Sequence, residues 1–499
     1  MPASLNLAAI DLGAESGRLM LGRFDGERLS LEELHRFDTR PVRVPGGLFT
    51  DVACAWREIL AGLSAAGARC GGRIDGAGVD TWGVDFALLD RGGGLLSLPH
   101  HYRDDLCEGM LAAALAAVPR DELFAATGVQ FLPFNSLFQL LGLRARRPSL
   151  LSAADRLLFL PDLFTYWLGG ERAADRTIAS TSQCYDPMAG GWARKLLERL
   201  ALPVALLPPL REPGTVAGVL RPEAAASSGL CAAPIISPGG HDTALAVAAV
   251  PARDPRFAYI SSGTWSLVGT ELTHPILGPS ALEAGFTNEA GVAGTTRFLK
   301  NVCGLWPIQE SRRAWEAAGS RYSHADLAAL AEAAPSWQAV IDVDAAAFAR
   351  PGDMPSRIRE YCRATGQPVP STPGEIVRTV LDSLALKYRQ VLRALDHLIG
   401  RHLDTVHIVG GGSRNRLLCQ LAADATGRLV LAGPVEATAM GNALMQAVAL
   451  GRLGSLADLR EVVAASAEVA RYEPRADAAM EEAYGRLEKL VVAGGEEQG

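Results

Sequence analysis

The sequence predicts an α/β protein built as two domains. Apolar, β-rich runs alternate with Ala/Leu/Arg helical patterns along the chain, which is the α/β signature. At 499 residues the chain exceeds what one simple core organises. A strand, a glycine-containing turn and a second strand occur twice, at "AAIDLGAESGRLMLG" near the start and "AYISSGTWSLVGT" midway. Two halves that each offer such a turn could close on one ligand.

The elements follow in order. "LAAIDLG-AES-GRLMLGRFDG" reads as a hairpin rather than a strand-to-helix turn. "GVDTWGVDFALLD" reads as an apolar strand carrying Trp82, Gly83 and Asp85, followed by a turn at Asp90–Gly94. "HYRDD" (His101–Asp105) reads as a solvated turn and "FLPFNSLFQL" as a core helix, each with residues that could line a ligand. "APIISPGG" is a strand and "HDTALAV" opens a helix. Pro and Arg then break the apolar pattern at "PARDPR", so the boundary falls around residues 246–256, with domains at 1–246 and 257–499. "FAYISSGTWSLVGT" starts the second domain. Its strongest helix is "STPGEIVRTVLDSLALKYRQVLRALDHLIG": Thr372 and Glu375 have capping-box spacing, Pro373 takes the first helical position, and Gly400 ends it. "TVHIVGGG" and "RLVLAGP" follow as strands.

Composition narrows the function. Hydrophobic residues make up 48% and charged residues 21%, an ordinary globular balance. The net charge is −7 with no long Lys/Arg block, which argues against a nucleic-acid or anionic-membrane partner. The start "MPASLNLAAIDLG" has no basic n-region, so a signal peptide is not expected. The nearest approach to a membrane span, "ATAMGNALMQAVALG", contains Gly and Asn. Eight dispersed cysteines without a C-x-x-C pair read as reduced thiols. These features together predict a cytoplasmic protein.

No G-x-x-x-x-G-K-[ST] is present, and no G-x-G-x-x-G follows a strand and opens a helix. Three other turns carry glycine: Gly13–Gly17, Ser261–Thr264 and Gly410–Gly412. Singly, each reads as a hairpin or a tight connection. Three in such strand contexts read as a phosphate cradle, because small residues let backbone N–H groups approach oxygens. "HIVGGGSRNRLLCQLAADATG" could place Gly411 beneath an adenosine or need glycine for geometry alone. Asp242, at a strand-to-helix turn, is either a helix N-cap or a general base facing a hydroxyl, with His241 beside it. Trp82 and Gly83 suit close approach of a sugar ring, or simply a core. Asn301 and Gln309, read on or near a helix start, offer amides to hydroxyls or a purine, or are surface polar groups.

Taken together, "IDLGAESGR", "IDGAGVDTWGVDF", "FLPFNSLFQL", "GGHDTALAV", "YISSGTWSLVG", "LKNVCGLW", "VHIVGGGSRN" and "AGPVEATAMGN" resemble the FGGY family of carbohydrate kinases in the actin-like ATPase superfamily. The resemblance runs from residue 10 to about residue 442. It implies two actin-like (ribonuclease H-like) domains around a deep cleft, with ATP and Mg²⁺ on one side and an L-ketose on the other. The implied reaction is phosphorylation of L-rhamnulose at its 1-hydroxyl, in L-rhamnose breakdown. The first domain would bind sugar and supply the first phosphate turn, and the second would bind ATP. Ala14, Glu15, Ser16, Gly17, Arg18, Thr264, Gln309 and Gly411 would contact ATP. Gly83, His241, Asp242, Thr243 and Asn301 would contact the sugar, with Asp242 as general base. Glu15 stands where some members have Ser. Ala422 and Thr426 fill a region where some carry a close cysteine pair, so no disulfide is expected there. Asp11, an acid where phosphate would otherwise sit, suits a hydrated Mg²⁺ beside the phosphates. Alternatives remain: a kinase of the family acting on L-fuculose, L-xylulose or glycerol, a nucleotide-dependent switch without sugar chemistry, and a catalytically dead sugar sensor.

Overall fold

The computed structural model describes residues 4–496. The chain divides into two compact units. One holds residues up to Arg253 together with Glu271–Phe298 and Ala437–Ala467, and the other holds Asp254–Thr270, Leu299–Glu436 and the remainder from Glu468. Two segments from the later half of the chain therefore return to the first unit.

The first unit is organised on a six-stranded sheet. The hairpin expected at the start is present: Leu5–Leu12 pairs antiparallel with Ser16–Phe24, which pairs with Leu29–Asp38. On its other side Leu5–Leu12 runs parallel to Gly76–Thr81, which is parallel to Pro234–Ser237, and Thr215–Val219 closes the edge antiparallel. Parallel central strands are covered on both faces and so read as continuous apolar runs. Leu7, Ala8, Ala9 and Ile10 are all fully buried. Helix Val52–Arg69 packs against Ser16–Phe24 and Leu29–Asp38, capped by Asp51, which accepts from Cys54 N. Helix Ala437–Ala449 packs against Leu5–Leu12, Gly76–Thr81 and helix Asp242–Ala248. This is the segment nearest in sequence to a membrane span. Here its Asn442 and Gln446 are buried, with Gln446 Nε2 donating to Ala8 O at 3.0 Å. Among the described residues no helix is long and apolar enough to cross a membrane.

The second unit repeats the layout. Phe257–Ser262 and Trp265–Leu272 form an antiparallel hairpin flanked by Thr296–Cys303, and Phe257–Ser262 is parallel to Thr405–Val409, itself parallel to Leu429–Ala432. Ala470–Tyr472 closes the edge antiparallel. The two echoing sequence stretches are thus the same hairpin in two sheets of matching strand order. Helix Pro373–Ile399 begins with a capping box in which Thr372 Oγ1 accepts from Glu375 N at 3.2 Å and Glu375 Oε2 accepts from Thr372 N at 3.1 Å. Gly400, at φ 68°, ends it in the left-handed conformation. The Thr372 N-cap contributes about 1 kcal/mol. Ile376, Val380, Leu384 and Leu395 are fully buried and contribute about 1.5–3 kcal/mol each. Packing makes the helix, and the cap sets where it starts.

Three expectations need correction. Trp82, Gly83 and Asp85 do not lie on a continuous strand, because Gly76–Thr81 stops and Phe86–Leu89 begins afresh after a turn. Val84 has φ 69°, unusual for a β-branched residue, and no strand can run through it. The "HYRDD" segment is not a solvated turn, since His101 and Tyr102 are buried. Asn301 is not at a helix start but within strand Thr296–Cys303, while Gln309 lies in helix Trp306–Ala317. The eight cysteines are all free thiols.

Candidate active site

Strand ends bring the acids of the first unit together. Asp11 and Asp80 are direct neighbours in the parallel ladder near the ends of their strands. Asp11 is opposite Arg18 in the hairpin, and Arg18 Nη2 and Nε donate to its Oδ2 at 2.8 and 3.1 Å. Arg18, expected to contact ATP, is thus engaged with the acid expected to serve the metal. Asp80 is fully buried. Its Oδ2 accepts from Asn442 Nδ2 at 2.7 Å, and its Oδ1 meets no partner. Burial first, then the neighbouring Asp11, pushes the Asp80 carboxyl well above the usual carboxylate range.

The Ala14–Arg18 turn is held by the strand beside it. Thr39 Oγ1 donates to Gly13 O at 2.6 Å, and Gly13 N donates to Ser16 O at 3.1 Å. Glu15 offers its backbone carbonyl to Thr39 N at 3.4 Å. Ser16 Oγ accepts from Arg36 at 3.3 Å. A side chain at Gly17 would overlap the ring of Phe37 and would have to displace it from the third strand.

Asp242 is not an N-cap. His241 occupies that position, and Asp242 is the first residue of helix Asp242–Ala248. Asp242 Oδ1 accepts from Thr243 N and, at 3.0 Å, from Thr243 Oγ1, and His241 Nε2 lies 3.3 Å from the same oxygen. Every one of these contacts falls on Oδ1. Burial raises the Asp242 carboxyl, partly opposed by His241 and supported by Asp11. Gly83 lies against this group: a Cβ there would be 3.2 Å from Thr181 Oγ1 and 3.5 Å from His241 Nε2. The turn that carries Gly83 is held on several sides, with Ser136 Oγ donating to Val84 O at 2.6 Å and Val84 N donating to Thr181 Oγ1 at 3.3 Å. Trp82 Nε1 and Tyr102 N donate to Asp85 Oδ2, and Gln139 Nε2 donates to Asp85 Oδ1. A cavity of about 270 Å³ adjoins this turn, bounded by Leu12, Thr39, Thr50, Thr81 and Trp82.

In the second unit the Ser262–Thr264 turn is a meeting point. Gly304 N and Trp306 N donate to Thr264 O at 3.1 and 3.3 Å, which docks the start of the Gln309 helix against it. Gln309 Oε1 is a buried acceptor without a partner. From the other side, a Cβ on Gly412 would overlap Ser262 Oγ, whereas a Cβ on Gly411 would meet nothing. Gly410 has φ 82°, the left-handed region that glycine tolerates. Asn301 is half-buried on its strand.

Asp80, Glu289 and Arg297 are absent from the residues singled out by sequence. Asp80 is an acid inside an apolar strand, a signal that could have been followed. Glu289 on strand Thr287–Ala290 and Arg297 on strand Thr296–Cys303, which both face His241 Nδ1, carry no local mark.

The two-domain fold is that of a carbohydrate kinase. The sequence model of the FGGY carbohydrate kinases' N-terminal domain matches residues 7–249, and that of their C-terminal domain matches residues 258–450. The chain belongs to the FGGY family of carbohydrate kinases. Within it, the chain is similar to the rhamnulokinase of Bacteroides thetaiotaomicron, with 43% identity over 97% of this chain and 99% of that one. It is also 41% identical to the rhamnulokinase of Enterococcus faecalis over 92% of each chain. Among solved structures, gluconate kinase from Lactobacillus acidophilus superposes with a TM-score of 0.79 at 16% identity, covering 99% of this chain and 97% of that one. Xylulose kinase from Rhodospirillum rubrum superposes with a TM-score of 0.77 at 22% identity, covering 99% of each. At such identities the structures speak to the fold alone.

Proposed function

We propose that this protein transfers the γ-phosphoryl group of ATP to the 1-hydroxyl of L-rhamnulose, giving L-rhamnulose 1-phosphate and ADP in L-rhamnose breakdown. The observation that carries the chemistry is the asymmetry of Asp242: Oδ1 is taken by Thr243 and faced by His241, which leaves Oδ2 to receive a proton. The choice of sugar rests on the similarity to rhamnulokinases.

In the reaction the O1–H proton passes to Asp242 Oδ2 as O1 bonds to the γ-phosphorus, and the bond from that phosphorus to the β–γ bridging oxygen breaks. A primary hydroxyl is a weak nucleophile, so alignment and charge stabilisation supply most of the acceleration and the base a smaller share. Gly83, His241, Thr243 and Asn301 are the proposed sugar contacts. The Ala14–Arg18 turn, Glu15 included, with Thr264, Gln309 and Gly411, are the proposed ATP contacts. The orphaned Oε1 of Gln309 suits a donor on the ligand.

The donor set of the first unit also fits Mg²⁺. Asp11 and Asp80 offer hard carboxylate oxygens side by side, and Asp80 Oδ1 is buried without a partner. Among the described residues no three His, Cys, Asp or Glu side chains form a cage. An ion that keeps several waters needs only one or two carboxylates. Bound there, Mg²⁺ would neutralise phosphate charge.

The test is ADP release coupled to a colour reaction across L-rhamnulose, L-fuculose, L-xylulose and glycerol. L-rhamnulose should give the highest kcat/KM. Buried polar groups left unpaired by a wrong epimer cost about 1–3 kcal/mol each, so L-fuculose should fall steeply. Glycerol or L-fuculose outranking L-rhamnulose would overturn the sugar assignment. No sugar-dependent ADP release at all would favour the switch.

A further inference from the structure

Behind His241 lies a buried ion pair that no step above uses. Arg297 has one of the largest fully buried side chains in the molecule, and it sits on strand Thr296–Cys303. Its Nη1 lies 3.0 Å from Oε2 of Glu289, which is also buried, on strand Thr287–Ala290. The angle is not that of a hydrogen bond, so this contact is one of charge against charge. Arg297 Nε donates to Ala290 O at 3.1 Å, which fixes the guanidinium plane. Its Nη2 then points at His241 Nδ1, 3.1 Å away.

That last contact has a chemical consequence. A guanidinium has only donors and stays charged, so the nitrogen it faces must present a lone pair. Nδ1 of His241 is therefore unprotonated, and the ring proton resides on Nε2. Nε2 is the nitrogen that faces Asp242 Oδ1, at 3.3 Å. The more familiar arrangement, a carboxylate behind a histidine, fixes the opposite tautomer. Here Glu289 stands 3.4 Å from Nδ1, but Arg297 is nearer to that nitrogen and neutralises the carboxylate. Burial pushes the Glu289 carboxyl up, but the carboxyl is held below its ordinary value, with the Arg297 guanidinium as the largest opposing influence, so it remains the anion that balances the guanidinium.

We infer that Arg297, held by Glu289, is a positioning residue that locks His241 as the neutral Nε2–H tautomer, so that the protonated edge of the ring faces Asp242 Oδ1 and Oδ2 is left as the proton acceptor. The inference rests on the proposed role of Asp242 as base, and it adds two residues from a hairpin more than forty positions further along the chain. It also limits His241 toward a sugar: with Nδ1 against Arg297, only the Nε2–H edge remains, and that edge can meet only an acceptor oxygen.

The test begins with the unaltered protein labelled with ¹⁵N-histidine. The resonance pair that vanishes in His241→Gln should have a non-protonated shift at Nδ1 and a protonated one at Nε2 between pH 7 and 8. A protonated Nδ1 overturns the inference without any variant of the pair having to fold. In Arg297→Gln, and in the double variant Arg297→Met/Glu289→Leu that leaves no buried charge, the ring should become a mixture of tautomers. Sugar-dependent kcat should fall by roughly 10- to 100-fold, the usual size for a group one step behind the reacting one, while KM for ATP stays put. A double variant with the original tautomer and kcat also overturns it. Because the ¹⁵N measurement needs no substrate, it can stand or fall separately from the sugar assignment.

Discussion

The indole Nε1 of Trp82 donates to Asp85 Oδ2 at 2.9 Å, closing the turn that carries Gly83 and holding Val84 at φ 69°. Asp85 is fully buried, and burial raises its carboxyl to about 7 despite donors from Trp82, Gln139 and Tyr102. The sign follows from linkage. The unfolded chain loses this proton near 3.8 and the folded one near 7, so the folded state binds more protons in between. The group's contribution is therefore fully present below pH 3.8 and is lost as pH rises to about 7. A shift of this size corresponds to at most about 4 kcal/mol. Asp85→Asn should flatten this part of the stability–pH curve, measured by urea unfolding at pH 5 and pH 8. An unchanged slope would show that Asp85 ionises normally in the folded protein.

Asp242→Asn is close in shape and should leave the fold and ATP affinity intact. Turnover of the sugar should drop by roughly two to four orders of magnitude, the common size of a general-base effect. In the unaltered protein the acid limb of kcat/KM should sit above the usual aspartate range, because burial raises this carboxyl. The limb should vanish in the variant. A folded Asp242→Asn protein with near-normal turnover would remove Asp242 as the base.

Asp80 and Asp11 can be separated by metal binding. Asp80→Asn removes a buried acid whose charged form is costly beside Asp11, so stability at pH 8 should hold or rise. Binding of Mn²⁺ with nucleotide, followed by electron paramagnetic resonance, should weaken by about tenfold. Asp11→Ala should weaken it further and raise the Mg²⁺ needed for half-maximal rate. Equal Mn²⁺ affinity in all three proteins would detach both acids from the cation.

What sequence could disclose divides along the range of the interactions. The two hairpins, the capped helix Pro373–Ile399 and the three glycine turns are local, written in alternation, capping spacing and turn residues, and they were legible. Asp80 was not singled out because its meaning comes from parallel register with Asp11, across four strands and a helix. The Trp82–Asp85 turn looked like strand because Val is a strand former. Its left-handed backbone depends on Ser136 and Thr181, which are distant in sequence. Helix Ala437–Ala449 gave no sign of packing with the Asp242 helix. Gly441 permits it, since a Cβ there would overlap Leu245 O. Arg297 looked like any arginine in a strand until His241 and Glu289 were found around it.

Gly411 and Gly412 stand side by side in "VGGGSRN", and the structure gives them opposite reasons for being glycine. A Cβ on Gly412 would overlap Ser262 Oγ and lie 3.2 Å from Ser262 O, within the packed second unit. Gly412→Ala must move the Ser262–Thr264 turn or the start of helix Arg416–Thr426. Overpacking of this kind costs about 1–3 kcal/mol, which thermal unfolding without ligand should register. A Cβ on Gly411 would meet no protein atom, so Gly411→Ala should unfold like the unaltered chain. If Gly411 lies beneath the adenosine of ATP, the added methyl meets the nucleotide, and KM for ATP should rise several-fold while the ligand-free melting temperature stays fixed. A Gly411→Ala protein with unchanged KM for ATP would remove this glycine from the nucleotide site. One that melts early without ligand would mean that the turn, and not ATP, requires glycine at this position.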